Sequence, residues 1–109
     1  MEFEWDAAKD RENLRKHDVR FETANLVFDD PFAITVRADS DEAEEERWVT
    51  IGSIGPHSVV HVVTTWRGDM VRMISARRAT AMERRSYEEA HEGTKAGHRS
   101  NRGKTRRGY

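Results

Sequence analysis

The sequence contains no cysteine, only two prolines and no long run of apolar residues. Without cysteine there are no disulfides and no thiolate metal sites, which fits the reducing cytoplasm where we expect the protein to act. No apolar stretch approaches the roughly 20 residues that a membrane-spanning helix needs, so we predict no membrane contact. Apolar residues make up 36% of the 109 and charged residues another 36%. These shares predict one small domain over residues 1–93 and a basic, disordered tail over residues 94–109.

The net charge of −1 hides a division between the two parts of the chain. Residues 95–109 carry six basic side chains and no acidic one, which leaves a net charge of −7 on residues 1–94. An acidic body is not the usual electrostatic footprint of a nucleic-acid-binding protein. A site for a polyanion must therefore be a local basic patch. The acidic segment 39–46, with six carboxylates in eight residues, is expected to be a solvated connection.

The order of the predicted elements indicates an α+β fold. Asp6 is a predicted N-cap, Pro31 ends the second helix, and Thr80 with Glu83 forms a capping box whose helix ends by Gly93. The first helix has few apolar residues, so we expect its polar side chains, including Asn13, to face solvent or a partner. Helices and strands are segregated, which predicts an antiparallel four-stranded sheet plus a short N-terminal strand, two N-terminal helices and one C-terminal helix. In chain order we predict a strand at 3–5, a helix that follows the Asp6 cap and runs to about residue 17, and a helix at about 21–28. Strands at 32–36 and 47–51, a hairpin at 61–79 and a helix from 80 to about 91 follow.

The segment 61–79 is a predicted β-hairpin that turns at Gly68-Asp69. This turn would place Arg67 opposite Met70, Thr65 opposite Arg72 and His61 opposite Ala76. Alternation then predicts one buried face and one polar face. The predicted buried face carries Val60, Val62, Thr64, Trp66, Val71, Met73 and Ser75, and the polar face carries His61, Thr65, Arg67, Arg72 and Arg78 around Val63 and Ile74.

The arginines of this hairpin suggest a surface that binds phosphate and stabilises negative charge. Guanidinium groups stay protonated and match phosphate oxygens with a planar fork. Arg77 and Arg78 also precede the start of the last helix, where backbone N–H groups favour anions. Alternatively, the arginines lie on a solvated sheet face and pair with the surplus carboxylates.

Histidine and aromatic residues near the hairpin each allow two interpretations. His61 could transfer protons near neutral pH, or it could be a half-buried strand residue. His57 and His61 together are weak evidence for a metal site, because no third ligand is placed. Tyr87 and Trp66 could stack on bases or belong to the core, and we expect Trp66 to be a core residue.

The chain resembles the BrnT family of toxins over about residues 3–90. The resemblance rests on Phe3-Glu-Trp-Asp6, Lys9, Asn13, Lys16-His17, Phe21-Glu, Ala24 and Val27-Phe-Asp-Asp-Pro31, and further on Arg47, Ile51-Gly52, Thr65, Arg67-Gly68, Arg72-Met-Ile-Ser-Ala-Arg77, Ala79, Glu83 and Tyr87. Two positions depart from the family pattern. Asp18 stands where the family tends to have glycine, and Trp66 stands where it tends to have a charged residue.

The resemblance implies a RelE-like fold and a metal-independent endoribonuclease that acts as the toxin of a type II toxin–antitoxin system and arrests translation and growth. It implies no cofactor, an RNA substrate and a BrnA-like antitoxin partner in a heterotetramer, with operator DNA contacted only through the antitoxin. Our candidate catalytic residues are Arg67, Arg72, Arg77, His61 and Tyr87, and our candidate RNA-binding residues are Arg47, Thr65, Arg78, Lys16 and His17. The alternative is a binding module without enzymatic activity, whose arginine face docks an acidic segment of a partner.

Overall fold

The computed structural model describes residues 2–38 and 46–99, with residues 91–99 described by their backbone alone. The fold is α+β, as predicted. In this part of the chain, no helix is long and apolar enough to cross a membrane. The elements in chain order are β1 Glu2–Glu4, α1 Ala7–His17, α2 Phe21–Ala24, a 3₁₀ helix Asn25–Asp29, β2 Ile34–Ala38, β3 Arg47–Gly55, β4 Ser58–Arg67, β5 Met70–Arg78 and α3 Ala81–Arg99.

The sheet has five strands in the order β1-β5-β4-β3-β2. The strands β2 to β5 form the antiparallel meander that the sequence predicts. The prediction of a four-stranded antiparallel sheet is nevertheless wrong in one respect. The short strand β1 joins the sheet and runs parallel to β5, with Phe3 opposite Val71, so the sheet is mixed. Pairing of two segments so distant in sequence is not encoded by local patterning.

The first helix begins where the sequence predicts. Asp6 caps α1, because its carboxylate accepts hydrogen bonds from the backbone N–H groups of Ala8 (2.7 Å) and Lys9 (3.1 Å). Asp18 ends α1 in the left-handed region, with a φ of 59°. The second predicted helix is shorter than expected: after Ala24 the chain tightens into the 3₁₀ helix.

Several strand boundaries differ from the predictions by a few residues. The strand β2 begins at Ile34 and not at residue 32, and β3 continues past Gly52 to Gly55. A Cβ at Gly52 would lie 2.8 Å from Val27 Cγ2 and 2.9 Å from Ala33 Cβ. Glycine at position 52 therefore allows the 3₁₀ helix to pack closely against the strand, and it does not mark the end of the strand.

The hairpin between β4 and β5 contains a β-bulge that changes its predicted register. Arg67 lies opposite Met70 and Thr65 opposite Arg72, as predicted, but the register shifts beyond Thr64. His61 is therefore opposite Arg77, and the predicted pairing with Ala76 is wrong. The bulge adds one residue to β5. Every β5 residue beyond it therefore points to the opposite face of the sheet from the one that unbroken alternation predicts.

The bulge defines two faces of the sheet. We call the first the core face; it carries Thr50, Gly52, Val60, Val62, Thr64, Val71, Met73 and Ala76. We call the second the histidine face; it carries Val49, Ile51, His61, Val63, Thr65, Arg72, Ser75 and Arg77. Ser75 and Arg78 therefore lie on the faces opposite to those predicted.

The hydrophobic core lies between the core face and the N-terminal helices. Its fully buried members include Phe21, Ala24 and Val27 from the N-terminal helices. They pack against the sheet residues Val60, Val62, Met73 and Ala76. Trp66 does not belong to this core, contrary to prediction: it is 43% exposed and contacts Trp48, with ring centroids 5.9 Å apart.

The last helix starts with the predicted capping box. Glu83 N–H donates to Thr80 Oγ1 (3.1 Å), and Thr80 N–H donates to Glu83 Oε1 (2.9 Å). The helix does not end at Gly93 but continues to Arg99. An interior glycine costs about 1 kcal/mol relative to alanine, which is not enough to stop a helix in this context. Residues 100–109, the greater part of the predicted tail, lie outside the described residues.

Candidate functional site

Three side chains from three elements meet on the histidine face. Arg77 on β5 donates two parallel hydrogen bonds to Glu83, with Nη1–Oε1 and Nη2–Oε2 distances of 2.9 and 3.0 Å. His61 on β4 lies directly opposite Arg77, and its Nε2 is 3.8 Å from Glu83 Oε2. We call His61, Arg77 and Glu83 the Glu83 cluster. It combines a fixed cation with a group that can exchange protons.

Burial and charge set the protonation states of the Glu83 cluster. The ion pair with Arg77 is the main cause that lowers the pKa of Glu83 from 4.5 to about 2, so the carboxylate stays charged. Burial is the main cause that lowers the pKa of His61, and the positive charge of Arg77 adds to it. Glu83 acts in the opposite direction on His61. His61 is therefore neutral at pH 7, the state in which an imidazole can accept a proton.

Two further candidate arginines lie nearer the hairpin turn. Arg72 is opposite Thr65 on the histidine face, and its Nη1 donates to Glu4 Oε2 on β1 at 2.7 Å. Thr65 lies four positions beyond His61 on β4, so the positions of Arg72 and Arg77 are about 13 Å apart along the strands. Arg67 ends β4 with an exposed side chain. The hairpin thus arranges its arginines in a row and does not gather them at one point.

Tyr87 on α3 is buried, whereas a ring that stacks on a base must be accessible. Its side chain is 6% exposed, and its hydroxyl donates to Asp30 Oδ2 at 2.6 Å. Burial and the neighbouring carboxylate raise the pKa of Tyr87 to about 12. Asp30 also accepts hydrogen bonds from the backbone N–H groups of Phe32 (3.0 Å) and Ser53 (2.8 Å). The Tyr87–Asp30 contact therefore connects α3 to the 3₁₀ helix and β3.

The five predicted RNA-binding residues do not share one surface. Arg47 belongs to the histidine face of β3, and its buried Nε finds no hydrogen-bond partner among the described residues. Thr65 is on the same face but is 2% exposed and donates to the carbonyl of Glu46 (2.8 Å). Arg78, Lys16 and His17 lie on the other side of the sheet, with the core face and α1.

The second of the two histidines considered for a metal is not on a strand. His57 lies in the turn between β3 and β4, with a φ of 64°. It therefore does not continue the alternation that would bring it beside His61. In the part of the chain that the structure describes, no three potential ligands are grouped as a metal site requires.

Sequence reasoning missed two carboxylates that organise this region. Glu83 was predicted as half of a capping box, but its second contribution, the pair with Arg77, depends on the bulge that turns Arg77 toward it. Asp30 enters the sequence analysis only as part of the Val27-Phe-Asp-Asp-Pro31 motif. One signal in the sequence could have indicated the ion pair, namely the short spacing between Arg77, Thr80 and Glu83. A capping box at Thr80 places Glu83 beside the end of the strand that carries Arg77.

Comparisons with known proteins identify the class. The sequence model of the family described as "Ribonuclease toxin, BrnT, of type II toxin-antitoxin system" matches residues 5–83. The chain therefore belongs to the BrnT family of ribonuclease toxins, a family whose type II toxin–antitoxin systems imply an antitoxin partner. No curated protein matches the sequence.

A solved structure supports the same fold. The chain is similar to the ribonuclease toxin BrnT of Brucella abortus, whose crystal structure matches with a TM-score of 0.59 and 23% sequence identity. The match covers 73% of this chain and 97% of the Brucella chain. At this identity the comparison establishes the α+β fold and carries no information on individual site residues.

Proposed function

We propose that this protein is a metal-independent endoribonuclease with a RelE-like fold, which cleaves RNA in the cytoplasm and thereby arrests translation and growth. The observation that carries the proposal is the Glu83 cluster. It places a permanently charged guanidinium opposite a neutral histidine, in a chain that belongs to a family of ribonuclease toxins.

The chemistry that fits this cluster is attack of a ribose 2′-OH on the adjacent phosphorus. His61 accepts the proton of the 2′-OH while the 2′-oxygen bonds to phosphorus, the bond from phosphorus to the 5′-oxygen breaks, and the 5′-oxygen takes a proton from water. The products are a 2′,3′-cyclic phosphate and a free 5′-hydroxyl group. Negative charge grows on the phosphoryl oxygens during this step. Arg77 stabilises that charge from a position fixed before the substrate binds, which is the most effective form of electrostatic catalysis. DNA resists cleavage because it lacks the 2′-OH.

The ion pairs on the arginines are compatible with this role. A guanidinium group has five N–H donors. Among the described residues, Arg77 uses three of them, two toward Glu83 and one toward the carbonyl of Arg78 (3.1 Å). Donors therefore remain on Arg77 for a phosphoryl oxygen. We assign Arg72 and Arg67 to the neighbouring phosphates along the hairpin, because they follow Arg77 in a row toward the turn.

Not every candidate residue enters the proposal in its predicted role. Arg47 contributes to the RNA surface from β3. Thr65 is buried, and Arg78, Lys16 and His17 lie across the sheet from His61, so we do not assign them to RNA contacts. Tyr87 is a poor proton donor with a pKa of about 12, and we assign it to holding α3 in place. The antitoxin, BrnA-like and in a heterotetramer, would neutralise the toxin and provide the contact with operator DNA.

The test is cleavage of a defined RNA by the purified protein in the presence of EDTA. We expect cleavage of RNA but not of the matching DNA, and a loss of about 10²- to 10³-fold in kcat for Arg77→Ala, because one charge-stabilising donor group is removed. Arg85→Ala is the matched control, since Arg85 is an exposed arginine of α3 and is not a member of the Glu83 cluster. Undiminished cleavage by the Arg67→Ala, Arg77→Ala double variant would exclude the arginine mechanism.

A second function is favoured by one observation: both Arg72 and Arg77 already hold carboxylates of this chain, Glu4 and Glu83. A protein surface that recognises acidic side chains could equally dock an acidic segment of a partner without any enzymatic activity. Expression of the chain alone in a bacterium separates the two functions. Growth arrest with RNA decay supports the nuclease, and harmless expression with tight binding of the partner supports the binding module.

A further inference from the structure

Glu83 connects three elements through a single carboxylate. Its Oε1 accepts from Arg77 Nη1 on β5 (2.9 Å) and from the backbone N–H of Thr80 (2.9 Å). Its Oε2 accepts from Arg77 Nη2 (3.0 Å) and is 3.8 Å from His61 Nε2 on β4. No other carboxylate among the described residues contacts both a candidate charge-stabilising group and the candidate base.

The position of this carboxylate is fixed before any substrate binds. The capping box holds the backbone of Glu83 through Thr80 Oγ1 (3.1 Å). The side chain of Glu83 is 24% exposed and that of His61 is 16% exposed, so water screens their interaction only in part. A bidentate pair also restricts the plane of the Arg77 guanidinium, which a single hydrogen bond would not do.

We propose that Glu83 is a positioning residue for RNA cleavage, which orients the guanidinium of Arg77 and balances its charge beside His61. The proposal rests on the proposed ribonuclease function. Without the carboxylate, the guanidinium of Arg77 would remain opposite His61, but no bidentate pair would fix its plane. His61 would then face an uncompensated cation and would bind a proton less readily.

The surroundings of His61 give the direction of the expected pH effect. Arg77 faces it from β5, Glu83 faces it from α3, and the residue opposite it on β3 is the apolar Ile51. Burial and Arg77 lower the pKa of His61, whereas Glu83 raises it. Removal of the Glu83 charge therefore lowers the pKa of His61 further. If His61 is the base, the acid limb of the pH–rate profile moves to lower pH.

The experiment compares two variants that separate the charge from the capping box. Glu83→Gln keeps the shape of the side chain and an oxygen that can accept from Thr80 N–H, but it removes the charge. Thr80→Ala removes the other half of the capping box and leaves the carboxylate. We measure the pH–rate profile of RNA cleavage and the titration of His61 by NMR for the wild type and both variants.

We expect Glu83→Gln to lower kcat by about 10- to 100-fold, less than the loss of a general base itself, which is about 10²- to 10⁴-fold. The KM should change little, and the pKa of His61 should fall. Thr80→Ala keeps the carboxylate and its pair with Arg77, so it should change kcat and the pKa of His61 much less than Glu83→Gln does. Glu83→Asp, which keeps the charge on a shorter side chain, should recover part of kcat and bring the pKa of His61 back toward the wild-type value.

The outcomes distinguish this proposal from the proposed function. A wild type that cleaves RNA, together with Glu83→Gln at the same kcat and with the same acid limb, overturns the role of Glu83 alone. A wild type that does not cleave RNA overturns both. If Glu83→Gln does not fold, Glu83→Asp provides the test. The proposal is contradicted if Glu83→Asp keeps the wild-type kcat while the pKa of His61 changes. It is also contradicted if Glu83→Asp loses activity while the pKa of His61 stays at the wild-type value.

Discussion

Asn13 of α1 and Ala76 of β5 exchange two hydrogen bonds, with Asn13 Nδ2 donating to the Ala76 carbonyl (2.7 Å) and Ala76 N–H donating to Asn13 Oδ1 (3.1 Å). The strand β1, which pairs with the start of β5, ends opposite Arg72. Beyond that point the side-chain amide of Asn13 takes the place of a neighbouring strand. Asn13 Nδ2 also donates to the carbonyl of Val19 at 2.9 Å. One buried polar side chain thus connects α1, the following loop and the sheet.

This relationship predicts a large loss of stability for Asn13→Ala. The substitution leaves two carbonyl groups and one N–H group buried without their partner, and unsatisfied groups cost about 1–3 kcal/mol each when water cannot reach them. Partial access of water reduces the sum, so we expect a decrease of about 2–4 kcal/mol in the free energy of unfolding, measured in urea. Arg11→Ala, at an exposed position of the same helix, is the control and should change it by less than about 0.5 kcal/mol. Equal effects of the two substitutions would contradict this role of Asn13.

Gly52→Ala is predicted to destabilise the protein through overpacking. The new methyl group would lie 2.8 Å from Val27, 2.9 Å from Ala33 and 3.1 Å from Asp30. Forced shifts in a packed core cost about 1–3 kcal/mol. Gly68→Asn is the control, because Gly68 has a φ of 61° with open space around it, and asparagine tolerates that conformation. Thermal unfolding should show a clear decrease in Tm for Gly52→Ala and a small one for Gly68→Asn.

Local patterning predicted the hairpin but not its full register. The Gly68-Asp69 turn correctly fixed the pairs near the turn, because a two-residue turn dictates which residues lie opposite each other. The bulge beyond Thr64 has no glycine or proline that would announce it, and alternation alone cannot detect one extra residue. The parallel pairing of β1 was missed for a related reason: it depends on contacts between residues that are about 68 positions apart.

The candidate site was predicted in part. His61 and Arg77 were recognised as candidates by their chemistry, but their juxtaposition follows from the bulge. Asn13 illustrates a second limit, because a polar residue on a helix with few apolar residues is expected at the surface. It is buried because it meets backbone groups that the sheet leaves open, and only the assembled fold contains that information.

The low pKa of Glu83 predicts a specific dependence of stability on pH. The folded protein holds the carboxylate charged down to about pH 2, whereas the unfolded chain has the ordinary pKa of 4.5. The stabilisation is therefore complete above about pH 4.5 and is lost as the pH falls from there toward 2. The difference in unfolding free energy between the wild type and Glu83→Gln should be larger at pH 7 than at pH 3. Glu88→Gln, an exposed change on the same helix, should give the same small difference at both values.

Tyr87→Phe tests whether the Tyr87 hydroxyl acts in structure or in proton transfer. The substitution removes the 2.6 Å hydrogen bond to Asp30, and a hydrogen bond to a charged group contributes about 1.5–3 kcal/mol. We therefore expect a decrease of that size in the free energy of unfolding at pH 7. The cleavage rate at pH 7 should stay within about threefold of the wild type, since a general acid or base would contribute 10²-fold or more.

The raised pKa of Tyr87 adds an independent measurement at alkaline pH. Because the folded pKa is about 12 and the ordinary value is 10, the stabilisation is complete below pH 10 and is lost as the pH rises toward 12. Ultraviolet absorbance should show a late phenolate step in the folded protein that Tyr87→Phe removes. Tyr109→Phe makes the same chemical change at the only other tyrosine of the sequence and should leave that late step in place. If Tyr87→Phe abolishes cleavage without affecting stability, the hydroxyl belongs to the reaction, and His61 is not the only proton-transfer group of the site.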